Sequence, residues 1–327
     1  MKKLFSFVAL ASILAGGWHF YNLYTNNPAF RDQVKQLLTK EMSTQAPPAR
    51  AGDTIRIASF NLNIFGEKKI ANQPVMSRIV EICRHFDIIA VQEIRSERQD
   101  VMPQFIQQLN ADGSKYTYIV GPRLGRTDSK EQYAFIYDTA SIEADRNQTY
   151  TVDDPHSYLE RPPLVGWFRT RGVESNKAFT FTLVDVHTQP KNVKQEIAVL
   201  DDVFIAVRDD GRNEDDTIML GDFNAAHNEL GDLGRISTVN WVIHDNHPTN
   251  TRQTHQYDNI VLDHVATVEY TGRGGVFDFM RQFNMSLDEA LLISDHFPIW
   301  GEFSVYEGGA AAAQSQIAAS PEAGPRR

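Results

Sequence analysis

Short apolar segments separated by turns recur between residues 54 and 306, and this pattern limits the folds that the chain can adopt. Most of the segments have the length and composition of β-strands, whereas a few have apolar residues at helical spacing. Many strands with few helices favour two packed β-sheets flanked by helices, an α/β (α+β) architecture, over a doubly wound parallel sheet. The strand candidates are 55–64, 87–94, 116–120, 133–137, 163–170, 179–187, 217–220, 259–262 and 297–305, and the helix candidates are 75–86, 101–109 and 193–204.

The composition is that of an ordinary globular protein, because the 327 residues are 42% hydrophobic and 23% charged. It excludes a polytopic membrane protein, a collagen-like chain and a mainly disordered chain. The formal net charge of −10 provides no global basic field that would attract nucleic acid. An enzyme that meets phosphate through bound cations is still compatible with this charge, because a metal ion inverts the local charge balance.

Cysteine content and nucleotide motifs exclude several further classes. Cys83 is the single cysteine, so the chain forms no intramolecular disulfide, and its position within 75–86 predicts a buried helix face. The sequence contains neither GxGxxG nor a P-loop, so dinucleotide and nucleoside-triphosphate binding have no support. It also lacks HExxH and a Cys/His cluster, which argues against a zinc site.

The first 24 residues have the pattern of a targeting segment. Lys2 and Lys3 precede an apolar run over 4–15, as in an export signal. No A-x-A cleavage site follows, and the segment approaches the roughly 20 residues that a bilayer span needs. Its outer half carries residues favoured at the membrane–water interface, namely Trp18, Tyr21 and Tyr24. We therefore expect an exported protein, periplasmic or extracellular, tethered by 1–24 as an uncleaved membrane anchor, with a cleaved signal peptide as the alternative.

The segments that flank the patterned region predict no packed structure. Residues 25–53 hold a short helical candidate followed by Pro47 and Pro48, which is typical of a spacer. Residues 307–327 form a low-complexity tail of glycine, alanine, serine and proline, which cannot bury enough apolar surface to become ordered. The domain is therefore expected to span 54–306.

Apolar strand candidates repeatedly end in carboxylates, amides or histidines. A polar group at the end of a buried strand is costly unless it is paired or binds a metal ion. One such group is commonplace, but a series of them within one domain indicates a shared site. The residues are Asn61, Glu93, His187, Asp222, Asn224, Asp258, Asp295 and His296.

These residue types suit the hydrolysis of a phosphodiester. The reaction needs an activated water, a proton for the leaving group, and cations or donors for the negative charge of the transition state. Two histidines supply an acid and a base near neutral pH, and their order stays open. Carboxylate and amide oxygens suit Mg²⁺. The pattern predicts a phosphodiesterase that depends on Mg²⁺ or Mn²⁺.

The motifs around these residues resemble, in order, those of the endonuclease/exonuclease/phosphatase superfamily. GDFN with a later SDH is specific in combination, although each short motif alone is weak. The motifs are FNLNIFG (60–66), DIIAVQEIRS (87–96), VDVHTQP (184–190), MLGDFNA (219–225), YDNIVL (257–262) and ISDHFPI (293–299). The stretches that resemble the deoxyribonuclease I-like branch in particular are LGRTDSKEQYAFIY (124–137), LERPPLVGWF (159–168) and FDFMRQFNMSLDEALLISDH (277–296).

The resemblance implies a four-layer sandwich of two packed mixed β-sheets flanked by helices, and it implies roles for single residues. His187 and His296 match the acid/base pair, and Glu131 and Asp258 match the carboxylates that orient them. The implied catalytic residues are His187, His296, Glu131, Asp258, Asp222 and Asn224; the implied substrate-binding residues are Arg161 on phosphate, Arg95 in the DNA minor groove, and Asn224; the implied metal ligands are Asn61, Glu93 and Asp295.

The chain departs from the pattern of this branch in two loops. Ser129 stands where the branch has a tyrosine that stacks against DNA, so we expect a weaker grip on the duplex. Asp153-Asp154-Pro155 replaces a loop that holds a small disulfide. The structural calcium sites of the family depend on neighbouring loops, so Ca²⁺ is the secondary expectation after Mg²⁺ or Mn²⁺.

Three of the implied roles have structural alternatives. Glu131 could be a surface carboxylate that pairs with Lys130 or Arg126, Arg161 could cap a loop, and Arg95 could be a solvated charge at a strand end.

We predict a divalent-metal-dependent endonuclease that hydrolyses DNA by His-assisted in-line attack of water on phosphate. The first alternative is a phosphatase, a sphingomyelinase or an abasic-site nuclease on the same fold. The second is a non-catalytic scaffold that binds DNA or a partner. The stretches 124–137 and 277–296 favour the nuclease. DNA is the expected substrate, the membrane is contacted through 1–24, and no protein partner is predicted.

Overall fold

The computed structural model describes residues 52–126, 130–244 and 247–309. The predicted anchor, the spacer up to residue 51, Ser129 and the tail from residue 310 lie outside the described residues. Among the residues described, no helix is both long and apolar enough to cross a membrane.

The described residues form strands and helices in the following chain order. The strands are β1 (Thr54–Phe65), β2 (Ile88–Ile94), β3 (Tyr116–Val120), β4 (Gln132–Asp138), β5 (Ile142–Thr151), β6 (Leu164–Thr170), β7 (Thr180–His187), β8 (Thr217–Asp222), β9 (Val239–Trp241), β10 (Asp258–Asp263), β11 (Tyr270–Val276) and β12 (Ile299–Ser304). The helices are α1 (Glu67–Ile70), α2 (Gln73–Cys83), α3 (Val101–Leu109), α4 (Val193–Ile197), α5 (Leu200–Arg208), α6 (Phe279–Gln282) and α7 (Leu287–Ile293).

The strands assemble into two six-stranded mixed sheets. The first has the order β11-β12-β1-β2-β4-β3 and the second the order β5-β6-β7-β8-β10-β9. The two central strands of each sheet, β1 with β2 and β7 with β8, run parallel, and their outer neighbours run antiparallel to them. The carboxyl ends of each central pair therefore lie at the same edge as the amino ends of the strands on either side.

Three apolar clusters separate four layers of structure. The middle cluster lies between the sheets, and each outer cluster lies between one sheet and its helices. Representative buried residues are Ile57, Phe135, Phe181 and Leu220 between the sheets, Met76, Phe105 and Ile293 under α2, α3 and α7, and Ile197, Phe204 and Met219 under α4 and α5. This confirms the predicted sandwich of two mixed sheets flanked by helices.

The three predicted helices are present, one of them divided in two, whereas α1, α6 and α7 were not predicted. The side chain of Asn72 accepts a hydrogen bond from the Val75 backbone N–H at the start of α2, and Cys83 at its end is only 1% exposed. The predicted helix 193–204 is two helices, because α4 ends at Ile197 and α5 begins at Leu200.

Strand β1 does not end as a regular strand. Its register with β2 shifts between Asn61 and Phe65, and Asn63 and Ile64 have positive φ angles of 42° and 54°. Glu93, on the neighbouring strand, also has a positive φ of 64°. Such backbone conformations are costly for residues other than glycine and cluster at functional sites. The bulge interrupts the pairing of β1 with β2 just after Asn61, and the pairing resumes at Phe65, opposite Ile94.

Candidate active site

The predicted site residues come from the strand ends that share one edge. His187 and Asp222 are the last residues of β7 and β8 and are paired in register, and Asp258, the first residue of β10, pairs with Asp222 from the other side. The strand pairing thus sets His187, Asp222 and Asp258 in a row across three neighbouring strands. The remaining predicted residues approach this row from the first sheet or from loops, namely Asn61, Glu93, Arg95, Glu131, Arg161, Asn224, Asp295 and His296.

His187 forms a dyad with Glu131. Its Nδ1 lies 2.5 Å from Glu131 Oε1, and both side chains are buried. Burial alone would raise the pKa of Glu131, but His187, Arg161 and Arg95 together lower it. The carboxylate is therefore anionic, and its contact with Nδ1 fixes the orientation of the imidazole. Glu131 contacts neither of the surface partners considered as alternatives, since its ion pairs are to His187 and the two arginines.

His296 forms a second dyad with Asp258. Its Nδ1 lies 2.9 Å from Asp258 Oδ2, which also accepts a 2.6 Å hydrogen bond from the Thr249 hydroxyl. Burial alone would lower the pKa of His296, but Asp258 and Asp222 raise it to about 10. In the absence of a metal ion this imidazole is cationic at neutral pH and suited to an anionic ligand.

Asp222 lies between the two dyads. Its Oδ2 is 3.5 Å from His187 Nε2 and 3.5 Å from His296 Nε2, and it accepts a 3.1 Å hydrogen bond from Asn61 Nδ2. The backbone N–H of Asn224 donates to the other oxygen at 2.9 Å. Both histidines therefore present Nε2 to one point, so a single bound group could contact both rings.

The predicted metal side lies next to Asp222. Asn61 Nδ2 is 3.4 Å from Glu93 Oε1, and the second Glu93 oxygen accepts a hydrogen bond from Ile64 N–H at 2.9 Å. Asp295 is 52% exposed and lies 3.9 Å from His296 Nε2. Mg²⁺ and Mn²⁺ prefer oxygen ligands, and Mg²⁺ keeps several bound waters. These carboxylate and amide oxygens match that preference, and the half-exposed Asp295 leaves room for water.

The structure also brings one ligand atom each of Asp222, Asp258 and His296 within 4.8 Å of one another. In the structure His296 and Asp258 are hydrogen-bonded to each other in the second dyad.

Arg161 and Arg95 both contact Glu131. Arg161 is 5% exposed, lies 3.1 Å from Glu131 through Nε, and donates to the carbonyls of His187 and Thr188. Arg95 is partly exposed and forms ion pairs with Glu93 at 3.0 Å and Glu131 at 3.4 Å. Each arginine thus connects elements of the site, and their contacts to DNA stay predictions.

Two residues of the site were not predicted from the sequence. The Lys69 ammonium donates hydrogen bonds to the carbonyls of Leu62, Asn63 and Ile293 at 2.6–2.8 Å. These bonds hold the bulge of β1 against α7. Burial lowers the pKa of Lys69 to about 8. The Tyr257 ring lies 5.9 Å from the His296 ring. Lys69 carried no recognisable signal, whereas Tyr257 directly precedes Asp258 in a motif already singled out.

The fold and this pair of dyads define a hydrolase built on a two-sheet α/β sandwich. The chain belongs to the Endonuclease/Exonuclease/phosphatase family, whose model matches residues 58–296. Within that family it falls in the deoxyribonuclease I-like branch. It is 32% identical to Deoxyribonuclease gamma of Rattus norvegicus, covering 75% of this chain and 83% of that protein. It is 35% identical to Deoxyribonuclease-1-like 1 of Bos taurus, covering 77% and 81%.

A solved structure supports the fold alone. The crystal structure of D. rerio TDP2 complexed with a single strand DNA product matches with a TM-score of 0.52 at 14% identity, covering 77% of this chain and 99% of that chain.

Proposed function

We propose that the chain is a divalent-metal-dependent endonuclease that hydrolyses phosphodiester bonds of DNA. The observation that carries the proposal is the convergence of two histidines, each bound to its own buried carboxylate, on Asp222 Oδ2 at 3.5 Å. The relatives named deoxyribonucleases support DNA as the substrate.

The two dyads divide the proton transfers of an in-line displacement. One histidine accepts a proton from the attacking water as the new O–P bond forms. The other donates its proton to the sugar oxygen as the old P–O bond breaks. Glu131 and Asp258 orient the rings and stabilise each imidazolium. Asp222 keeps both imidazole rings oriented toward the reacting phosphate. Asn224 and Arg161 contact the oxygens of that phosphate.

Asn61, Glu93 and Asp295 would hold the metal ion, with Mg²⁺ or Mn²⁺ preferred and Ca²⁺ as the secondary candidate. When bound, the ion supplies positive charge that stabilises the transition state at the phosphate. The Asn61–Asp222 hydrogen bond connects the ligands to the dyads, so positioning of the ion and of the histidines is shared.

The direct test is nicking of supercoiled plasmid by the purified full chain in Mg²⁺ and in EDTA. His187→Ala and His296→Ala should each lower turnover at least ~10²-fold, the scale for losing a general acid or base. His264→Ala, which changes an exposed histidine just beyond the end of β10 opposite Asp258, is the matched control and should leave the rate unchanged. Near wild-type nicking by either site variant, or full activity in EDTA, would refute the mechanism.

A substrate panel separates this proposal from other activities of the same fold. The panel comprises plasmid, duplex with an abasic site, a phosphate monoester and sphingomyelin. Preferred hydrolysis of the monoester, of sphingomyelin or of the abasic duplex alone would replace the proposed substrate. Binding of DNA without hydrolysis of any member would favour the non-catalytic scaffold.

Substitution of Arg95 tests whether this residue contacts DNA or takes part in the chemical step. We expect Arg95→Ala to slow cleavage of duplex DNA markedly and to barely change a small chromogenic phosphodiester, because the small substrate has no groove to contact. Arg98→Ala is the control, since Arg98 is an exposed arginine paired with Asp100. Equal loss on both substrates would place Arg95 in the chemistry instead.

We also propose export and tethering by residues 1–24. The support is the Lys2-Lys3 pair before the apolar run. A reporter that works only outside the cytosol, fused after Arg327, should be active and should sediment with membranes. An inactive reporter on a stably expressed fusion would refute export, and an active but freely soluble one would indicate a cleaved signal.

A further inference from the structure

A second group of acidic residues lies at the opposite end of β8 from the candidate active site. Asp216 directly precedes the strand, whereas Asp222 ends it, so the two are roughly 20 Å apart along an extended chain. One carboxylate oxygen each of Asp216, Glu269 and Glu307 lies within 4.8 Å of the others. Ca²⁺ binds each oxygen ligand at about 2.3–2.6 Å, so two ligands of one ion are separated by at most about twice that distance. The three carboxylates are therefore close enough together to bind one cation.

Two carboxylate oxygens of this group are buried without partners. Asp216 and Glu269 are each 1% exposed, and Asp216 Oδ1 and Glu269 Oε2 have no hydrogen-bond partner within the described residues. The Thr267 side chain is also buried, and its hydroxyl lies beside Asp216, whose pKa it lowers as a hydrogen-bond donor. Unsatisfied buried polar atoms are rare in native proteins, and two in one place indicate a missing ligand.

No side chain neutralises the negative charge. Glu214 and Asp215 add two more carboxylates next to Asp216, and in the part of the chain that the structure describes no ion pair to Lys, Arg or His is formed by Glu214, Asp215, Asp216, Glu269 or Glu307. Burying like charges without a counter-ion is costly. The crowding and burial raise the pKa of Asp216 to about 9 and that of Glu269 to about 7, so either protons or a cation must neutralise the group.

We propose that Asp216, Glu269 and Glu307, with the Thr267 hydroxyl, form a structural site for a hard divalent cation, separate from the catalytic centre. All the donors are carboxylate or hydroxyl oxygens, and Ca²⁺ takes more such ligands, in a more flexible geometry, than Mg²⁺ does. The site joins three segments: the start of β8, the turn before β11, and residues 307–309. Gly308 N–H already donates to Glu269 Oε1 at 2.6 Å, so a bound cation fastens the end of the domain to its second sheet.

Thermal unfolding of the full chain tests the site without using activity. Wild type should gain about 5 °C in Tm with saturating Ca²⁺ over EDTA, the order expected when a ligand is far above its Kd. Asp216→Asn and Glu269→Gln should abolish the gain while keeping or raising Tm in EDTA, because each removes one buried like charge. Asp153→Asn, an exposed acid elsewhere, and Glu93→Gln, at the catalytic centre, should keep the gain. A Ca²⁺ gain that survives Glu269→Gln, or no gain in wild type, would overturn the proposal.

Terbium luminescence locates the cation directly. Trp167 Nε1 donates to Glu214 Oε2 at 2.9 Å, and Glu214 accepts the backbone N–H of Asp216, so this indole lies next to the site and can sensitise a bound Tb³⁺. Sensitised emission should appear in wild type and in Glu93→Gln, disappear in Glu269→Gln and Trp167→Phe, and be displaced by Ca²⁺. Emission lost in Glu93→Gln but kept in Glu269→Gln would assign the cation to the catalytic centre and refute the second site. The proposed nuclease activity is tested separately by plasmid nicking. A negative result for the second cation site would therefore not contradict that activity.

Discussion

Glu131 holds together more charged groups of the site than its sequence context suggests. The resemblance predicts its pairing with His187, and the structure shows that pair. It also shows Arg161 and Arg95 meeting the same carboxylate from two other segments. No local pattern could predict this convergence, because three loops far apart in sequence create it only when the sheets pack. The same applies to Lys69, whose three carbonyl partners depend on the bulge of β1.

Replacing Glu131 should therefore affect stability more than chemistry. Glu131→Gln leaves Arg161 buried without its counter-ion, and breaking such a pair costs about 3–5 kcal/mol of unfolding free energy. Turnover should fall by less than in His187→Ala, because the carboxylate orients and charge-balances the histidine without transferring a proton. Urea unfolding and plasmid nicking measure the two effects. Glu174→Gln, at an exposed ion pair with Lys177, should stay within about 0.5 kcal/mol of wild type; an equally small loss in Glu131→Gln would contradict the role.

The raised pKa of His296 predicts a pH-dependent stability. A histidine whose pKa rises on folding stabilises the native state below its unfolded pKa of about 6.5, and this contribution is lost as pH rises through about 10. In EDTA, the unfolding free energy of wild type should therefore fall more steeply between pH 6.5 and 10 than that of His296→Gln. Parallel curves for the two proteins would show that His296 is not cationic in the native state.

At the scale of elements, strands inside the sheets are predictable from the sequence and most edge strands are not. The inner strands carry nearly continuous apolar runs, and β2, β6 and β7 match their predicted segments within a residue. The edge strand β3 is the exception, since it also matches its predicted segment. The missed strands β5, β9 and β11 lie at sheet edges: β5 is mostly polar, β9 has only three residues, and β11 is rich in glycine. An edge strand has only one neighbouring strand and is open to solvent, so it can pair without alternating apolar residues. Its sequence therefore carries no apolar pattern from which the strand could be predicted.

The parallel contact of β7 and β8 depends on Gly221. This residue has φ of 143°, and a Cβ there would overlap the carbonyl oxygen of Val186 on β7. Gly221→Ala should push apart the strands that carry His187 and Asp222, costing more than about 4 kcal/mol, the range of the severest single substitutions. Gly211→Ala also changes a positive-φ glycine, but in open space, and should cost about 1 kcal/mol. Chemical denaturation compares them, and equal losses would show that strain alone, rather than the close approach, matters.

At the scale of the whole molecule, Cys83 reports on global integrity. It lies in the cluster between α2 and the first sheet at 1% exposure, and burial raises the pKa of its thiol. A thiol reagent should therefore label the native protein only as fast as it unfolds, and dithiothreitol should leave Tm unchanged. Labelling rate against denaturant concentration is the measurement. Rapid labelling of the native protein would mean that this helical layer opens locally.

The wide separation of the site residues along the chain has a consequence for synthesis. The first dyad needs Glu131 and His187, the second needs Asp258 and His296, and the row that joins them requires β7, β8 and β10 of the second sheet to be paired. A nascent chain that has not yet emerged beyond residue 296 holds at most half of the proton-transfer apparatus. The chain therefore has no complete catalytic site while residue 296 is still inside the ribosome. Hydrolase activity begins only when β12, the last strand, pairs within the first sheet.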